Sequence, residues 1–381
     1  MEDSRSSPGC CRNSNDGSVK IGTLLRLGLS DIVARGQVLG ELYAGRGTDA
    51  GAALRPSYDG VVDQARALEE AGFNAVFTLE SSHDVFLPLA LAAQVTGLEV
   101  MTNVAMAFPR NPIHLAHAAY DLQLISRGRF VLGLGSQVRP VNERLFGVPW
   151  ERPVDRLREM VLAVKAIFSA WQEGTRLDFR GEFFTHTFIN PGFNPGPNPF
   201  GLPPVYLAAL GPRMTRMAAE VADGILVHPF SSERFVRERM MPAVEEGLAG
   251  AGRSRREFFM VSNVIVATGR DEAEMATADE GVRALLAFYA STPTYRPLLE
   301  LEGYDDLHLE LNRLSREGRF ADMAALVDDD VVDRFAVRGA PHQVAKAILA
   351  RYGDVADRVN LYLPYAAGID LLAEVLAGFK R

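Results

Sequence analysis

The protein has 381 residues, of which 48% are hydrophobic and 23% are charged, and this composition excludes a disordered or collagen-like chain. The formal net charge is −8 and no block of lysine and arginine is present, which argues against a dedicated nucleic-acid-binding protein and favours small-molecule substrates as partners. No apolar run approaches the roughly 18 residues that span a bilayer, so we expect no membrane association.

The first twenty residues are polar and lack both the apolar core and the cleavage site of a signal peptide. We therefore predict a disordered polar tail over residues 1–20, a single domain over residues 21–381, and a cytoplasmic protein. The two cysteines, Cys10 and Cys11, are adjacent. Neighbouring cysteines do not form an ordinary disulfide framework or a zinc site by themselves.

From about residue 58 onward, the chain alternates helical and strand patterns. Tyr58–Ala71 has apolar residues at helical spacing and is followed by Gly72, which predicts a helix that ends there. Short apolar runs between amphipathic segments predict parallel strands. The first strand is predicted at Gln37–Ala44, which Gly40 interrupts. Seven more are predicted at Asn74–Leu79, Leu98–Ala107, Arg129–Leu134, Pro204–Ala209, Gly224–His228, Phe258–Thr268 and Arg358–Leu363.

Eight strands with helices between them predict an α/β fold, a single (β/α)8 TIM barrel, because a doubly wound sheet more often has about five or six strands. Two stretches exceed the usual connections and predict insertions after the fourth and seventh strands, at Arg176–Leu202 and Asp271–Phe335. The acidic triplet Asp328–Asp330 is interpreted as a solvated loop or helix cap in preference to a metal site. No HExxH spacing or clustered set of ligands occurs, so we predict no catalytic metal.

In an α/β barrel, the loops at the carboxyl ends of the strands build the active site. The second strand is followed by ESSHD (residues 80–84), which concentrates carboxylates, an imidazole and hydroxyl groups. Glu80 and His83 are the candidate catalytic residues, because side chains of these types orient substrates or exchange protons. Asp84 has the alternative role of capping the next helix.

The fourth strand leads into GLGSQV (residues 133–138). Its glycines allow the backbone to approach a ligand closely, and its polar side chains supply hydrogen-bond donors. It lacks the Gly-Lys-Ser/Thr ending of a Walker loop, and Val138 replaces the last glycine of a GxGxxG motif. We interpret Gly135, Ser136 and Gln137 as candidate cofactor-binding residues, with an ordinary strand-to-helix turn as the alternative.

The fifth strand leads into a helix that is predicted to begin near Pro212. Free backbone N–H groups in a first helical turn, together with Arg213, form a phosphate-binding site, whereas the alternative is a helix start that serves packing alone. His228 ends the sixth strand and should face the barrel mouth, while His114 and His117 are expected to be ordinary helix residues. The candidate cofactor-binding residues in this part of the chain are Ala208, Ala209, Leu210, Gly211, Pro212, Arg213 and His228.

Four segments together resemble the bacterial-luciferase-like family of flavin- and deazaflavin-dependent oxidoreductases: ALEEAGFNAVFTLESSHD, TNVAMAFPRNP, ISRGRFVLGLGSQ and PPVYLAALGPRMTRMAAEVADGILVHP. The resemblance covers about residues 55–365 and implies a (β/α)8 fold. The segments LGLGSQVRPVNERLFGVPW and FYASTPTYRPLLELEG are more similar to the branch that uses the deazaflavin coenzyme F420 than to the light-emitting or alkanesulfonate branches.

The resemblance implies a flavin-type ring across the strand ends, with its phosphate held by the loops after the fourth and fifth strands. It also implies a bulge in the third strand, often with a non-prolyl cis peptide, against which the ring bends. The matching positions, which we also assign to cofactor binding, are Asn103, Val104 and Ala105. Val138 stands where sugar-phosphate dehydrogenases of the family have an acidic residue, which argues against glucose 6-phosphate as the substrate.

The leading hypothesis is an oxidoreductase that transfers a hydride between coenzyme F420 and an unidentified small organic substrate. The first alternative is an FMN-dependent luciferase-like monooxygenase. The second is a non-catalytic flavin-binding protein, against which the polar cluster at residues 80–84 argues, because a storage pocket needs no acid or base. A homodimer is a further hypothesis.

Overall fold

The computed structural model describes residues 19–24, 58–81 and 83–379. The strands there are β1 (Lys20–Leu24), β2 (Ala75–Thr78), β3 (Glu99–Thr102), β4 (Ala105–Met106), β5 (Phe130–Gly135), β6 (Phe179–Arg180), β7 (Thr185–His186), β8 (Val205–Ala209), β9 (Gly224–Val227), β10 (Phe259–Thr268), β11 (Ala336–Gly339) and β12 (Arg358–Tyr362). The longer helices are α1 (Asp59–Ala71), α2 (Leu87–Val95), α3 (Pro112–Ile125), α4 (Pro153–Glu173), α5 (Pro212–Val221), α6 (Met241–Gly250), α7 (Glu272–Ser291), α8 (Arg296–Glu302), α9 (Asp305–Glu317), α10 (Phe320–Ala324), α11 (Asp329–Phe335), α12 (Pro341–Tyr352) and α13 (Ile369–Phe379). None of the helices in these ranges combines the length and the apolar character needed to cross a membrane.

The strands form one large sheet in the order β11-β10-β12-β1-β2-β3-β5-β8-β9, and β9 also pairs with β10. This last pairing closes a ring of eight strands, in which β4 continues β3 by pairing with β5 and β11 lies outside the ring beside β10. The recorded neighbours in this sheet are parallel, with Val76 opposite Val100 and Leu132 opposite Val205. The predicted (β/α)8 barrel is confirmed.

By internal contacts the chain divides into two compact units, and each is described by itself. The described part of the first unit is residues 75–226 and 243–259, and that of the second is residues 19–24, 58–74, 227–242 and 260–379. In the first, α3 packs on α4, and α4 on α5, around fully buried strands such as β2 and β5. In the second, α12 packs on α13, α13 on α1, and α7 on α9.

Helix α1 shows how the sequence pattern produces the packing. Val61, Ala65 and Leu68 lie on one face at helical spacing and are at most 1% exposed. Burial of a valine or leucine side chain stabilises the fold by about 1.5–3 kcal/mol. The helix ends at Gly72, whose φ of 96° lies in the left-handed region that favours glycine. The helix predicted at Tyr58–Ala71 is confirmed with a start one residue later.

The first barrel strand is not where the sequence pattern placed it. The predicted strand Gln37–Ala44 lies outside the described residues, and the barrel position between β12 and β2 belongs to Lys20–Leu24. Ile21 in this strand is 3% exposed, and its register places it opposite Val359. The five-residue strand begins at the last residue of the predicted tail, directly after a long polar segment, and is too short to show a strand pattern of its own.

The two stretches predicted as insertions contain different elements. Residues 176–202 include the antiparallel pair β6–β7, whereas the segment between β10 and β11 is helical, from α7 to α11. Asp328 caps α11, since its Oδ1 accepts a hydrogen bond from the Val331 N–H at 2.9 Å. Asp329 forms ion pairs with Arg283 and Arg338. The interpretation of the acidic triplet as a helix cap is therefore confirmed for Asp328.

Candidate functional site

The carboxyl end of β2 carries a carboxylate with both oxygens bonded. Glu80 Oε1 accepts a hydrogen bond from Arg110 Nη2 at 2.6 Å, and Oε2 accepts one from Arg110 Nη1 at 2.7 Å. Oε2 also accepts from the Met106 N–H at 2.6 Å. The side chain of Glu80 is 11% exposed and that of Arg110 is 21% exposed. A bidentate pair of this kind has a fixed geometry, so it ties the end of β2 to β4 and to the loop before α3.

A bulge separates β3 from β4, at the positions where the resemblance implied one. The peptide bond between Asn103 and Val104 is cis, and Ala105 begins β4. The Asn103 N–H donates to the Thr78 carbonyl oxygen at 2.7 Å, and the Glu80 N–H donates to the Val104 carbonyl oxygen at 3.4 Å. The bulge is therefore bonded to the end of β2 on both sides.

These contacts revise the role predicted for Glu80. A carboxylate that exchanges protons needs an oxygen within reach of the substrate, whereas the oxygens of Glu80 accept from Arg110 and the Met106 N–H. Its contacts instead hold the bulge in place. Glu80 is better described as a positioning residue, and the sequence pattern could not show this because Arg110 lies 30 residues further along the chain.

His83 and Asp84 follow in the same loop. Asp84 Oδ1 accepts from the Phe86 N–H at 2.8 Å and from the Leu87 N–H at 3.0 Å, so it caps α2 and its alternative role is confirmed. Thr78 Oγ1 donates to the Val85 carbonyl oxygen at 2.6 Å and closes the loop. His83 is half-buried in this closed loop, and its catalytic role stays a prediction.

The end of β5 approaches both the bulge and the end of β8. A Cβ added at Gly135 would lie 2.7 Å from Val104 Cγ2 and 3.6 Å from Ala208 Cβ. At Gly133 it would lie 1.9 Å from the Thr102 carbonyl oxygen. The two glycines therefore permit close packing of the strand ends. This packing brings together the predicted cofactor-binding residues of the bulge, of the end of β5 and of the end of β8.

The loop after β5 is fixed by its own side chains. Asn142 is fully buried, and its Nδ2 donates to the carbonyl oxygens of Ser136 at 2.9 Å and Val138 at 3.1 Å. Gln137 has a φ of 58°, in the left-handed region, and its Oε1 accepts from the Val138 N–H at 3.0 Å. Ser136 Oγ donates to the Gln137 carbonyl oxygen at 3.2 Å. The Gln137 amide nitrogen has no hydrogen bond to the described residues and is available to a ligand.

The start of α5 is open. Gly211 is its N-cap residue and Pro212 its first residue, and a Cβ at Gly211 would meet no atom within 4 Å. Gly211, Pro212 and Arg213 are exposed, and Arg213 forms no ion pair with any described residue. Ala208 and Leu210 are half-buried before this turn, and Ala209 is buried. The positive end of the helix dipole and a guanidinium thus face open space, as an anion-binding site requires.

His228 belongs to the second unit, where it directly follows β9. Its Nδ1 accepts a hydrogen bond from the Phe230 N–H at 3.2 Å, and the rings of Tyr289 and Tyr295 lie 4.9 Å and 4.5 Å from its own ring. Burial lowers the pKa of His228 to about 3. Its imidazole is therefore neutral near pH 7.

Four residues of the site were not predicted from the sequence: Arg110, Asn142, Tyr289 and Tyr295. Arg110 could have been found, because a charged residue shortly after an apolar strand of a barrel is a candidate for the site. Asn142 lies in a short π-helical turn, and nothing in its sequence context marks it. His114 and His117 lie in α3 as expected. Among the described residues, no three His, Cys, Asp or Glu side chains form a group that could hold a metal ion.

Comparisons with known proteins place the chain in a family. It is 48% identical over 320 residues to an "Uncharacterized protein" of Mycobacterium tuberculosis, covering 84% of this chain and 94% of that one. It is 30% identical to a "Putative coenzyme F420-dependent oxidoreductase" of the same organism, covering 74% of this chain and 84% of that one.

A solved structure agrees with the barrel fold. The coenzyme F420-dependent tetrahydromethanopterin reductase from Methanopyrus kandleri superposes with a TM-score of 0.73 at 20% identity, over 95% of this chain and 97% of that one. Residues 33–358 match the sequence profile of the family described as "Luciferase-like monooxygenase". The barrel fold is thus accompanied by a sequence match over most of the chain, and the protein belongs to the luciferase-like monooxygenase family.

Proposed function

We propose that the protein is an oxidoreductase that transfers a hydride between coenzyme F420 and a small organic substrate. The observation that carries this proposal is the open start of α5, where Gly211 and Arg213 face open space beside the ends of β5 and β8. Support for F420 comes from the 30%-identical relative, whose name includes this coenzyme. Coenzyme F420, when bound, supplies the ring carbon that gives up or accepts the hydride.

The residues present fit a phosphate-bearing cofactor. An anion at the start of α5 would meet the backbone N–H groups of the first helical turn and the Arg213 guanidinium. Gly211 presents no side chain there, so the backbone is accessible. Gln137, with its amide nitrogen available, lies in the neighbouring loop that Asn142 holds. These residues would bind and orient the cofactor.

The residues at the other strand ends would position the reacting groups. Glu80 and Arg110 hold the backbone of Met106 and the bulge at Asn103–Val104, which we assign with Ala105 to the surface beneath the ring. A site held this firmly keeps its geometry when a ligand binds. His83, half-buried in the loop that the Thr78–Val85 hydrogen bond closes, would exchange a proton with the substrate.

A titration decides between the cofactors. Purified protein is titrated with F420 and, separately, with FMN, and the change in absorbance or fluorescence of each gives its Kd. The proposal expects saturable binding of F420 with the lower Kd. Binding of FMN without binding of F420 would overturn it and would favour the alternative, an FMN-dependent monooxygenase, since the family description names a monooxygenase.

A second experiment separates an enzyme from a cofactor-storage protein. The F420-loaded protein in its reduced form is mixed with a panel of ketones, aldehydes and enones, and in its oxidised form with alcohols. The redox state of F420 is followed by its absorbance. We expect hydride exchange with at least one class of compound, and binding of F420 without exchange across the whole panel would contradict a catalytic function.

A further inference from the structure

The turn after β9 holds the His228 imidazole in one orientation. The Phe230 N–H donates to His228 Nδ1 at 3.2 Å, and the Ser231 N–H donates to the His228 carbonyl oxygen at 3.0 Å. An Nδ1 atom that accepts a hydrogen bond carries no proton, so the neutral ring carries its proton on Nε2. The backbone of the turn therefore selects the tautomer in which Nε2 is a donor.

The Nε2 donor is available to a ligand. His228 is partly exposed, and its Nε2 is bonded to none of the described residues. Several side-chain atoms of the described residues are both buried and without a hydrogen-bond partner, and His228 Nε2 is not one of them. Because Nε2 has no partner among these residues, it must be accessible rather than buried. Because His228 directly follows a barrel strand, this space is at the carboxyl end of the strands, where barrel enzymes bind their substrates.

Among the described residues, the groups with ring or hydrogen-bond contacts to the imidazole are uncharged. They are the phenol rings of Tyr289, at the end of α7, and Tyr295, in the turn before α8, together with the Phe230 backbone amide. Burial alone lowers the pKa of His228, to about 3. The imidazole therefore stays neutral between pH 5 and pH 9 and remains a donor throughout this range.

The surroundings of His228 are aromatic over a continuous surface. Tyr289 and Tyr295 are half-buried and contact each other at 5.6 Å between ring centroids. Phe230 is fully buried behind them, at 5.8 Å from Tyr289, and stacks on Phe335 at 4.4 Å. A rigid aromatic surface with one hydrogen-bond donor binds ligands that combine a planar apolar part with one acceptor oxygen.

We propose that His228 Nε2–H donates a hydrogen bond to the carbonyl or hydroxyl oxygen of the substrate, while Tyr289 and Tyr295 contact its planar apolar part. The substrate class is then aryl and similarly planar ketones or aldehydes and the corresponding alcohols. This rests on the proposed function, because only an oxidoreductase of carbonyl compounds would use such a site for chemistry. His228, placed among the cofactor-binding residues by the sequence, becomes a specificity-determining residue.

The test uses acetophenone labelled with ¹³C at the carbonyl carbon as the probe and needs no cofactor. The protein is titrated into the probe, and the ¹³C chemical shift gives both the Kd and the hydrogen bonding of the carbonyl. The parent protein should bind saturably with a downfield shift. His228→Leu should lose the shift and bind about tenfold more weakly, whereas His228→Gln, which keeps a donor, should retain part of both.

Two comparisons make this result specific. His114→Gln changes an exposed histidine on α3 and should leave both the shift and the Kd at the parental values. Tyr295→Leu, which removes a planar ring and keeps the donor, should weaken binding but retain the shift. Absence of saturable binding by the parent, or an unchanged shift and Kd in His228→Leu, would overturn the proposal.

The protonation state gives an independent readout. In protein labelled with ¹⁵N at histidine, the His228 signals should show a proton on Nε2 and no titration between pH 5 and pH 9. A titration near the ordinary histidine pKa of about 6.5 would overturn the proposal. Because these experiments contain no F420, their failure is distinguishable from failure of F420 to bind in the titration described above.

Discussion

Two regions of the candidate site differ in how their polar groups are bonded. At the ends of β2 and β3, Glu80 and Arg110 bond to each other and to the backbone of the bulge. At the end of β8, Gly211 and Arg213 lie at the open start of α5, and Arg213 has no ion-pair partner among the described residues. The first region is complete without a ligand, whereas the second has donors that a ligand would satisfy.

The difference separates positioning from binding. Polar groups that are bonded to each other fix the shape of a site, and their loss costs free energy of unfolding. Polar groups that face open space contribute little to folding, and their loss costs affinity. Substitutions in the two regions should therefore change different measured quantities.

The largest expected effect is at His83, which lies beside the Glu80–Arg110 pair and has a proposed catalytic role of its own. His83→Asn should lower turnover by roughly 10²- to 10⁴-fold, the range typical of a lost general acid or base. The Kd for F420 should stay within a few-fold, because the proposed phosphate site is at α5, in a different loop. Near-parental turnover together with a lowered Tm would show that His83 is structural, and steady-state kinetics beside a thermal unfolding scan distinguish the two.

Substitution of Glu80 should mainly change stability. Glu80→Gln leaves Arg110, which is 21% exposed, without its charge partner and should lower the free energy of unfolding by about 3 kcal/mol, measured by urea unfolding. The control is Asp178→Asn, which breaks an ion pair whose side chains are 66% and 49% exposed, and its effect should stay below about 1 kcal/mol. Equal effects of the two variants would contradict the bonded character of the first region.

Substitution of Gly211 should mainly change the affinity for F420 and leave the free energy of unfolding nearly unchanged. Gly211→Val places a β-branched side chain where the phosphate approaches, so the Kd for F420 should rise by about tenfold. The free energy of unfolding should change by less than about 0.5 kcal/mol, because an added Cβ meets no atom within 4 Å. Gly250→Val, at another exposed glycine with open space, is the matched control and should leave the Kd unchanged. A parental Kd in Gly211→Val would remove the phosphate site from this loop.

The smallest effect is expected at Arg213. Arg213→Gln should weaken F420 binding by about threefold to fivefold at low salt, and the difference should shrink as ionic strength rises, because an exposed charge is screened. Arg256→Gln changes another exposed arginine and serves as the control. A salt-independent loss of affinity in Arg213→Gln would point to a packing role instead.

How much the sequence predicts depends on how local the signal is. Helix α1 and the start of α5 near Pro212 follow from neighbouring residues and are predicted from the sequence. Capping is one of two interpretations that the sequence offers for Asp84 and for Asp328, and the structure shows it for both. The pairing of Glu80 with Arg110 spans 30 positions, and that of Asn142 with the Ser136 loop depends on a π-helical turn. Such contacts arise only when the strands have assembled, so no local pattern shows them.

The first strand, β1, is a second case in which contacts between distant residues decide the structure. Lys20–Leu24 is short and follows a polar segment, so its own pattern is weak. Its place in the barrel comes from pairing with β12 at the far end of the chain, with Lys20 opposite Arg358. A strand of this kind is determined by its partner more than by its own residues.

The central claim is that the open start of α5 holds the phosphate of coenzyme F420. A crystal structure of the protein with F420 bound tests it most directly. The phosphate oxygen atoms should lie within hydrogen-bond distance of the backbone N–H groups of Arg213 and Met214, next to Gly211. A structure in which F420 is bound with its phosphate away from α5 would contradict the claim.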